Sequence, residues 1–502
     1  MNEPDVPAGH VRALIERPYN KILEEAARAQ LTGEGDPIRI MSDYFRIAAS
    51  SGFRLDPTFG PIPIGGGAES PLPRSREEAK ALFDPGNRKT RFLVHGFVEA
   101  SSDGVREYLV DKDGKYLVHS NPLVGGLWTL PPRPNTPPRP CLPTCGTSER
   151  VGDTTNVLTK LDTQTLGTNG LNGTGVAIAI VDSGIFMPRI ETLLGDNLEA
   201  KKSFTLDKLS SWKPRDLVTE PGAHRVGHGT MCAYDALIAA PGATLLDVPM
   251  LIARPVGDHR VTATVATAML AYLHLTKIWL LGPPPPFDAL VVSNSWGIFH
   301  PCLEDYAPGH KFRFIDNSTH IFHWLTEILS IAGMDIVFCG NNCGDGSNCA
   351  GSCPSGTCLS TTSRMIMGAN AYRHVLTVGG CDTNDRWVGY SSRGPSIANM
   401  YTNPKDQQKP DLVGYTHFLG SRVSRVFVPD TGVSAACPVA AGCVAALRTR
   451  SVGTKVSSAT LFEALRDTAH RTPDMPAVGW DPRYGHGVIR PVDAGRALGI
   501  IP

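Results

Sequence analysis

Three polar residues, Asp182, His228 and Ser434, each stand beside a segment that predicts a buried strand or helix. Asp182 ends the apolar run 176–181, His228 begins a helix-like segment, and Ser434 begins a run of small residues. A serine hydroxyl is a weak nucleophile that needs an adjacent base, and the base needs a partner that fixes its tautomer. Asp, then His, then Ser is one of the chain orders in which this set recurs on unrelated folds. The residues predict acyl transfer, with Ser434 as nucleophile, His228 as base and Asp182 as orienting acid.

Each of the three also has a structural alternative. Asp after a strand and Ser before a helix are common helix caps, and a His between glycines can be a loop residue. The flanking residues favour the catalytic interpretation. The glycines on both sides of His228 permit close backbone approach, and Gly432 permits a tight turn before Ser434. Pro438 stands where the pattern predicts the first helical turn, in which a missing N–H is harmless.

The elements that must position these residues alternate between strands and helices after residue 155. The predicted strands are 175–181, 244–250, 288–293, 335–339 and 375–379. The predicted helices are 228–240, 262–281, 318–333 and 434–450. This alternation predicts an α/β fold with a parallel sheet covered by helices on both faces. Catalytic side chains are then expected at the carboxyl ends of the strands.

The segments Asp182-Ser183-Gly184, His228-Gly229-Thr230 and Gly432-Val433-Ser434-Ala435 resemble the signature motifs of the subtilisin-like serine proteases, the peptidase S8 type. The resemblance covers residues from about 168 to 497, and Val433 departs from it, since the family usually has Thr there. It implies a subtilisin-like fold and a serine endopeptidase that hydrolyses protein or peptide substrates through an acyl-enzyme. A protease-like binding or scaffold protein with little or no turnover is the alternative.

The resemblance also implies an oxyanion donor at Asn341. The segment 337–341 is similar to the family's Ala-Gly-Asn segment, whose Asn amide points at the oxyanion. The neighbouring Asn342 is a rival, but the register from Gly340 favours Asn341. Standing alone, Asn341 would be interpreted as a turn residue.

The same resemblance implies that Ser295, Trp296 and Gly297 bind substrate, because this strand end lends its backbone to the peptide as an added strand. Gly297 would leave room for the side chain before the scissile bond, whereas Trp296 fits the core equally well. Gly368 or a neighbour would line the same pocket. The pocket shows no obvious buried charge, which favours apolar or broad specificity.

No cofactor or metal is expected. The short connection after His228 lacks the loop with which many relatives bind calcium. Residues Cys343, Cys349, Cys353 and Cys358 have spacings that match zinc sites poorly. Local disulfides or unpaired thiols are favoured over a metal for this loop.

A proline-rich stretch at 131–143 predicts a tether and divides the chain. We expect a smaller α+β amino-terminal region at 1–130, a linker at 131–154 and a peptidase domain at 155–502. Within the first region, the pattern predicts helices at Val11 to Leu31 and Ser75 to Phe83. It also predicts strands at 90–98 and 115–120, with a turn at Asp113-Gly114. A propeptide and an accessory binding domain are both consistent with this region.

The charge balance points to no nucleic acid or membrane partner, because 48 basic residues face 48 acidic ones. No apolar run reaches the roughly 18 residues of a membrane helix. The first residues lack the apolar core of a secretory signal, which predicts a cytoplasmic protein. The sequence gives no indication of the oligomeric state.

Overall fold

The computed structural model of the chain describes residues 6–32, 34–48, 53–56, 60–83, 89–100, 108–111, 114–126, 150–197, 204–213, 218–252, 261–298, 301–344, 363–423, 428–449 and 456–502. The strands are β1 (His10–Arg17), β2 (Phe53–Leu55), β3 (Ile62–Ile64), β4 (Arg91–Glu99), β5 (Tyr108–Asp111), β6 (Gly114–Ser120), β7 (Leu123–Gly126), β8 (Val176–Asp182), β9 (Thr205–Leu206), β10 (Thr244–Pro249), β11 (Val261–Thr264), β12 (Ala289–Asn294), β13 (Met334–Cys339), β14 (Leu376–Cys381) and β15 (Leu412–Tyr415). The helices are α1 (Lys21–Thr32), α2 (Pro37–Ala48), α3 (Arg76–Leu82), α4 (Thr154–Leu161), α5 (Thr163–Thr168), α6 (Met187–Asn197), α7 (His228–Ala239), α8 (Val265–Thr276), α9 (Ile321–Ile331), α10 (Val433–Arg448), α11 (Ser458–Asp467) and α12 (Pro491–Ala497).

The larger sheet is parallel, with the strand order β15-β14-β13-β12-β8-β10-β9. The central strand β8 is apolar and buried along its whole length, as a strand covered on both faces requires. Its alternate residues enter two different cores, because successive side chains of a strand point to opposite faces. Ile178 and Ile180 pack with α7 and α10, whereas Ala179 and Val181 pack with α8 and α9. The predicted α/β sheet with helices on both faces is confirmed.

Helix α10 crosses the middle of the molecule and is buried at every position. Its small residues let it approach α7 closely. A Cβ on Gly442 would lie 2.2 Å from the carbonyl oxygen of Ala236, so only glycine fits at this crossing. The Ala- and Gly-rich sequence after Ser434 is therefore explained by tight packing between two helices.

The amino-terminal sheet is antiparallel, with the order β2-β4-β1-β6-β5 and β3 paired to β4. The predicted helix from Val11 to Leu31 is wrong in its first part, because His10–Arg17 forms strand β1 and only Lys21–Thr32 is helical. Strand β1 pairs with β4 on one side and β6 on the other, and these ladders override the local helical spacing. The helix capped by Ser75 and the strands at 91–99 and 114–120 agree with the prediction.

The prolines predicted to form the tether lie in the segment 127–149, outside the described residues. Strand β7, just before that segment, leaves the amino-terminal sheet and pairs antiparallel with β11. None of the described helices combines the length and hydropathy needed to cross a membrane.

Candidate active site

The side chains of Asp182 and His228 form a buried pair at the carboxyl edge of the larger sheet. Asp182 is the last residue of β8, and His228 is the first residue of α7. The Nδ1 atom of His228 lies 2.8 Å from Oδ1 and 3.0 Å from Oδ2 of Asp182. The carboxylate accepts from Nδ1–H, so the lone pair of the imidazole is on Nε2. That Nε2 atom is buried and has no hydrogen-bond partner among the described residues.

Gly229 allows this pair to come together. A Cβ at this position would lie 2.3 Å from the carbonyl oxygen of Gly184 and 3.1 Å from Oδ1 of Asp182. The amide of Gly229 donates to the hydroxyl of Ser183, which itself donates to the carboxylate of Asp182. The close approach of α7 to the end of β8 therefore requires a glycine after His228.

Ser434 is the second residue of α10 and is 6% exposed. Its position is fixed through its carbonyl group. Pro438 lies inside the helix rather than in its first turn, and its missing N–H leaves the Ser434 carbonyl without a helical partner. Ser295 Oγ, at 3.0 Å, and Cys232 Sγ, at 3.4 Å, contact this carbonyl instead. The proline therefore frees a carbonyl that anchors Ser434 to two neighbouring elements.

Cys232 joins the three predicted residues and was not singled out from the sequence. Its Sγ lies 3.7 Å from Oδ2 of Asp182 as well as against the Ser434 carbonyl. The sequence contained a signal for this residue, because position 232 follows His228 by four positions and so lies on the same face of the helix. Burial, followed by the charge of Asp182, raises the pKa of this thiol well above its ordinary value. Cys232 is a neutral packing and hydrogen-bonding group in this site.

The electrostatics of His228 favour its protonated form. Burial alone lowers its pKa, but the charge of Asp182 and the hydrogen bond to it outweigh burial, so the pKa is raised above 6.5. The buried carboxylate thus stabilises an imidazolium when His228 accepts a proton. The hydroxyl of Ser434 forms no hydrogen bond to His228 or to any other described residue.

The two asparagines after β13 face different surroundings. Asn341 has a left-handed backbone, with φ of 66°, and its Nδ2 donates to the carbonyl oxygens of Ile298 and Met365 at 3.1 and 3.3 Å. Asn342 instead accepts from the amide of Val433 at 2.9 Å. The asparagine that contacts the turn before Ser434 is therefore Asn342.

Gly432 lies between the side chain of Asn342 and the amide of Ser434. A Cβ built on it would lie 3.1 Å from Nδ2 and 3.5 Å from Oδ1 of Asn342, and 3.6 Å from the amide nitrogen of Ser434. With φ of 76°, the backbone at Gly432 also adopts the left-handed region that glycine tolerates. The carboxamide of Asn342 and the amide nitrogen of Ser434 thus approach the same point beside Gly432.

The three predicted substrate-binding residues have different environments. Ser295 bonds the Ser434 carbonyl, as described above. Trp296 is buried in the core, where its ring packs edge-on against Phe338 with centroids 5.0 Å apart and its Nε1 donates to Asn294. Gly297 faces the side-chain oxygen of Asn341, since a Cβ there would approach it to 2.5 Å.

Gly297 also pairs with a strand from the amino-terminal region. The amide of Gly125 in β7 donates to the Gly297 carbonyl at 2.9 Å, and the amide of Gly297 donates back to Gly125 at 3.1 Å. On its other side, β7 pairs antiparallel with β11, and Val124 is buried in the core. The strand β7 therefore lies between two elements of the larger domain, directly beside the strand end that leads to Ser295.

The cysteine-rich loop is only partly described. Cys339 is a free, buried thiol, and Cys343 is disulfide-bonded. The positions Cys349, Cys353 and Cys358 lie outside the described residues. A local disulfide was one of the states that the sequence left open for this loop.

Comparison with known families identifies the fold. The model of the subtilase family, peptidase S8, matches residues 173–487 of the chain. The chain belongs to the subtilase family. A search of curated proteins found no match. As a subtilase, the chain is a member of a serine peptidase family with protein or peptide substrates. The matched region of this subtilase contains Asp182, His228 and Ser434, and it begins well after β7.

Proposed function

We propose that this subtilase is a serine endopeptidase that cleaves peptide bonds through an acyl-enzyme. The observation that carries the proposal is the state of His228, whose Nδ1–H is held by Asp182 while Nε2 is buried and unpartnered. A base in this state accepts the proton of a serine hydroxyl. Ser434 is the candidate nucleophile because its carbonyl is anchored to Cys232, which also contacts Asp182.

The proposed reaction has two halves. His228 takes the proton of Ser434 as its oxygen attacks the carbonyl carbon of the scissile bond, and the resulting imidazolium then protonates the leaving amine. A water molecule repeats the sequence on the acyl-enzyme. Asp182 stays ionised throughout and stabilises the imidazolium, which agrees with the raised pKa of His228.

A fluorophosphonate probe tests this mechanism directly, because it reacts only with an activated serine. We expect stoichiometric labelling of the full chain and loss of labelling in Ser434→Ala. A matched control is Ser458→Ala, which removes a buried serine hydroxyl at the start of α11, away from the site. Absence of labelling in the parent chain would favour the alternative of a protease-like binding or scaffold protein.

We further propose that Asn342, rather than Asn341, donates to the oxyanion, together with the amide of Ser434. The support is that Asn342 Nδ2 and the Ser434 amide nitrogen lie 3.1 and 3.6 Å from the same point, the position of a Cβ built on Gly432. The amide hydrogens of Asn341 are used by two backbone carbonyls. Pre-placed donors of this kind are typically worth about 100- to 1000-fold in rate.

The substitutions Asn342→Ala and Asn341→Ala separate the two assignments. Asn342→Ala is expected to lower kcat by about 100-fold or more with little change in KM. Asn341→Ala is expected to reduce stability, because it removes two hydrogen bonds from a left-handed turn. A loss of kcat confined to Asn341→Ala would return the oxyanion role to Asn341.

We propose that the amino-terminal region acts as an inhibitory propeptide rather than as an accessory domain. The support is β7, which pairs with Gly297 and β11 as an extended substrate would. Because the Gly125–Gly297 pairing is antiparallel, β7 runs from Leu123 to Gly126 in the direction that leads from Gly297 back to Ser295 in the paired segment. Self-cleavage is then expected just after β7, ahead of the prolines at 131–143.

Amino-terminal sequencing of the purified chain tests this role. We expect a new terminus between residues 127 and 131 in the parent chain and none in Ser434→Ala. Substituting Val124→Asp would place a charge in a buried position of β7 and is expected to slow cleavage. Cleavage within 144–155 in the parent chain would contradict the substrate-like placement of β7.

A further inference from the structure

A second cluster of titratable side chains lies on the face of the larger sheet covered by α8 and α9, and the proposed peptidase mechanism does not use it. His323 and Glu327 are four residues apart on α9, and His374 precedes β14. One nitrogen or carboxylate oxygen from each of the three residues lies within 4.8 Å of the others. The rings of His323 and His374 meet edge to face with centroids 4.9 Å apart.

The hydrogen bonds of His374 fix its tautomer. The hydroxyl of Thr326 has one hydrogen, and that hydrogen is directed to backbone carbonyls one turn earlier, at 2.9 Å for Phe322 and 3.1 Å for His323. With the hydroxyl hydrogen directed there, the hydroxyl oxygen accepts from Nε2–H of His374, which lies 2.8 Å away. The lone pair of His374 is then on Nδ1, which is buried and has no partner among the described residues.

The other two residues are also held by their outer atoms. His323 Nε2 lies 2.8 Å from the hydroxyl of Tyr401, and Glu327 Oε1 accepts from Arg373 at 2.8 Å. The inner atoms, Nδ1 of His323 and Oε2 of Glu327, lie 3.5 Å apart. The outer atom of each ligand is thus hydrogen-bonded, as in a metal site. The amide of Arg373 also donates to the Tyr401 hydroxyl, at 3.0 Å, so this hydroxyl can give its hydrogen to His323 Nε2. A metal at Nδ1 of His323 would replace the contact with Glu327 and leave Nε2–H to donate to Tyr401.

Burial keeps both histidines neutral, as metal ligands must be. Burial, then the charge of Arg373, lowers the pKa of His323 to about 3. Burial, then His323, Lys409 and Arg373, lowers the pKa of His374 well below its ordinary value. The two cations oppose an incoming metal, but each is already engaged by a carboxylate, Arg373 by Glu327 and Lys409 by Asp411.

We propose that His323, Glu327 and His374 bind a divalent first-row transition metal, with zinc or cobalt as the best match. Two imidazoles and one carboxylate suit these ions, whereas calcium and magnesium prefer sites made of oxygen. Three protein ligands leave a fourth position for water. Tetrahedral zinc holds its ligand atoms about 3.3 Å apart, so the distances within the cluster must shorten by up to about 1.5 Å to close on the ion.

Such a metal would tie α9 to the segment that leads into β14. This segment carries Asn370, whose Nδ2 donates to the carbonyl oxygens of Trp296 and Cys339 at 2.8 and 2.7 Å. Both carbonyls belong to the strand ends beside the active site. A metal bound at the cluster would therefore stiffen the support of the substrate side of the site without taking part in the reaction.

Cobalt titration of the full chain carrying Ser434→Ala, after treatment with a chelator, tests the site independently of peptidase activity. We expect one equivalent of Co²⁺ to bind with the absorption of a nitrogen- and oxygen-ligated tetrahedral ion. No thiolate-to-cobalt charge-transfer band should appear, which distinguishes this cluster from the cysteine-rich loop and from Cys232. Zinc should displace the cobalt and raise Tm as its concentration rises.

Two substitutions locate the binding, Glu327→Gln at a partly exposed ligand and His374→Gln at a more buried one. Each should weaken cobalt binding by at least about 100-fold. The control is His470→Gln, an exposed histidine outside the cluster, which should bind as the parent does. The proposal is overturned by absence of stoichiometric binding, by a thiolate band, or by unchanged binding in Glu327→Gln.

Discussion

At the scale of single residues, the proposed reaction of this subtilase depends on how Asp182 shifts the proton affinity of His228. Burial and the carboxylate act on the pKa of His228 in opposite directions, and the carboxylate prevails. A general base works only in its neutral form. The raised pKa therefore sets the lower pH limit of the proposed reaction.

The first prediction concerns that limit. As pH falls through the raised pKa, His228 becomes protonated, so kcat/KM should decline with a midpoint above pH 6.5. In Asp182→Asn, the charge and the hydrogen bond that raise the pKa of His228 are lost, and only burial, which lowers it, remains. The midpoint should therefore move to lower pH. The plateau of kcat/KM should also fall by about 10⁴-fold. The measurement is kcat/KM against pH with a peptide amide substrate.

Asp493→Asn is the matched control for this profile. It makes the same substitution at an exposed carboxylate paired with Arg496, far from His228 in the fold. Its profile should coincide with that of the parent. An acidic midpoint that stays in place in Asp182→Asn would contradict the assignment of His228 as the base.

The second prediction concerns the glycine beside His228. Gly229→Ala would place a Cβ 2.3 Å from the Gly184 carbonyl and 3.1 Å from Oδ1 of Asp182. The backbone must then shift, and the imidazole moves with it. Misplacement of a catalytic group by about 1 Å can cost 100-fold in rate. We expect the rate of fluorophosphonate labelling to fall by about 100-fold. Circular dichroism should show that the fold is retained. Labelling at the parent rate would contradict this prediction.

At the scale of elements, helix α10 carries Ser434 and packs closely against α7, which carries His228. The sequence predicted both helices and the sheet, because apolar periodicity and small-residue runs are local signals. It placed Pro438 in the first turn, whereas the helix begins at Val433 and Pro438 lies inside it. Helix boundaries depend on tertiary partners, here Ser295 and Cys232, which satisfy the carbonyl that Pro438 leaves free.

The third prediction tests the α7–α10 crossing. Gly442→Ala would bring a Cβ within 2.2 Å of the Ala236 carbonyl, a backbone atom that cannot move alone. Overpacking of this kind costs about 1–3 kcal/mol, so the free energy of unfolding should fall by that amount in urea denaturation. Fluorophosphonate labelling should slow as well, since both catalytic helices are displaced.

Gly167→Ala is the control for this prediction. Gly167 lies within α5 with nothing within 4 Å of an added Cβ. The same substitution there should stabilise the chain by about 0.5–1 kcal/mol through helix propensity. Equal effects of the two substitutions would show that the α7–α10 crossing is not the tight contact described.

At the scale of the whole molecule, the amino-terminal sheet and the subtilase domain are joined by more than β7. Arg76 of α3 donates to the carbonyls of Trp279 and Ala332 at 2.8 and 3.1 Å, and its guanidinium lies 4.0 Å from the Trp279 ring centre. These contacts of Arg76 would remain after the proposed cleavage behind β7. Release of this region, rather than cleavage, is then expected to limit the appearance of activity.

The fourth prediction follows from these contacts. Arg76→Ala should shorten the lag before peptidase activity appears by at least about tenfold, since hydrogen bonds from a charged donor are lost. Arg74→Ala, at an exposed position two residues earlier, should leave the lag unchanged. Equal lags in Arg76→Ala and Arg74→Ala would argue against slow release of the region.

The sequence by itself determined the parallel sheet, the order of Asp182, His228 and Ser434, and the family. These features depend on local periodicity and on short motifs, which are present in the sequence whatever the tertiary contacts. Only the tertiary structure decided which asparagine contacts the turn before Ser434, because the contact of Asn342 with the amide of Val433 joins residues 91 positions apart. It also decided that Gly125 pairs with Gly297, a contact between residues far apart in the chain. Such contacts depend on loop closure and packing, for which no local pattern exists.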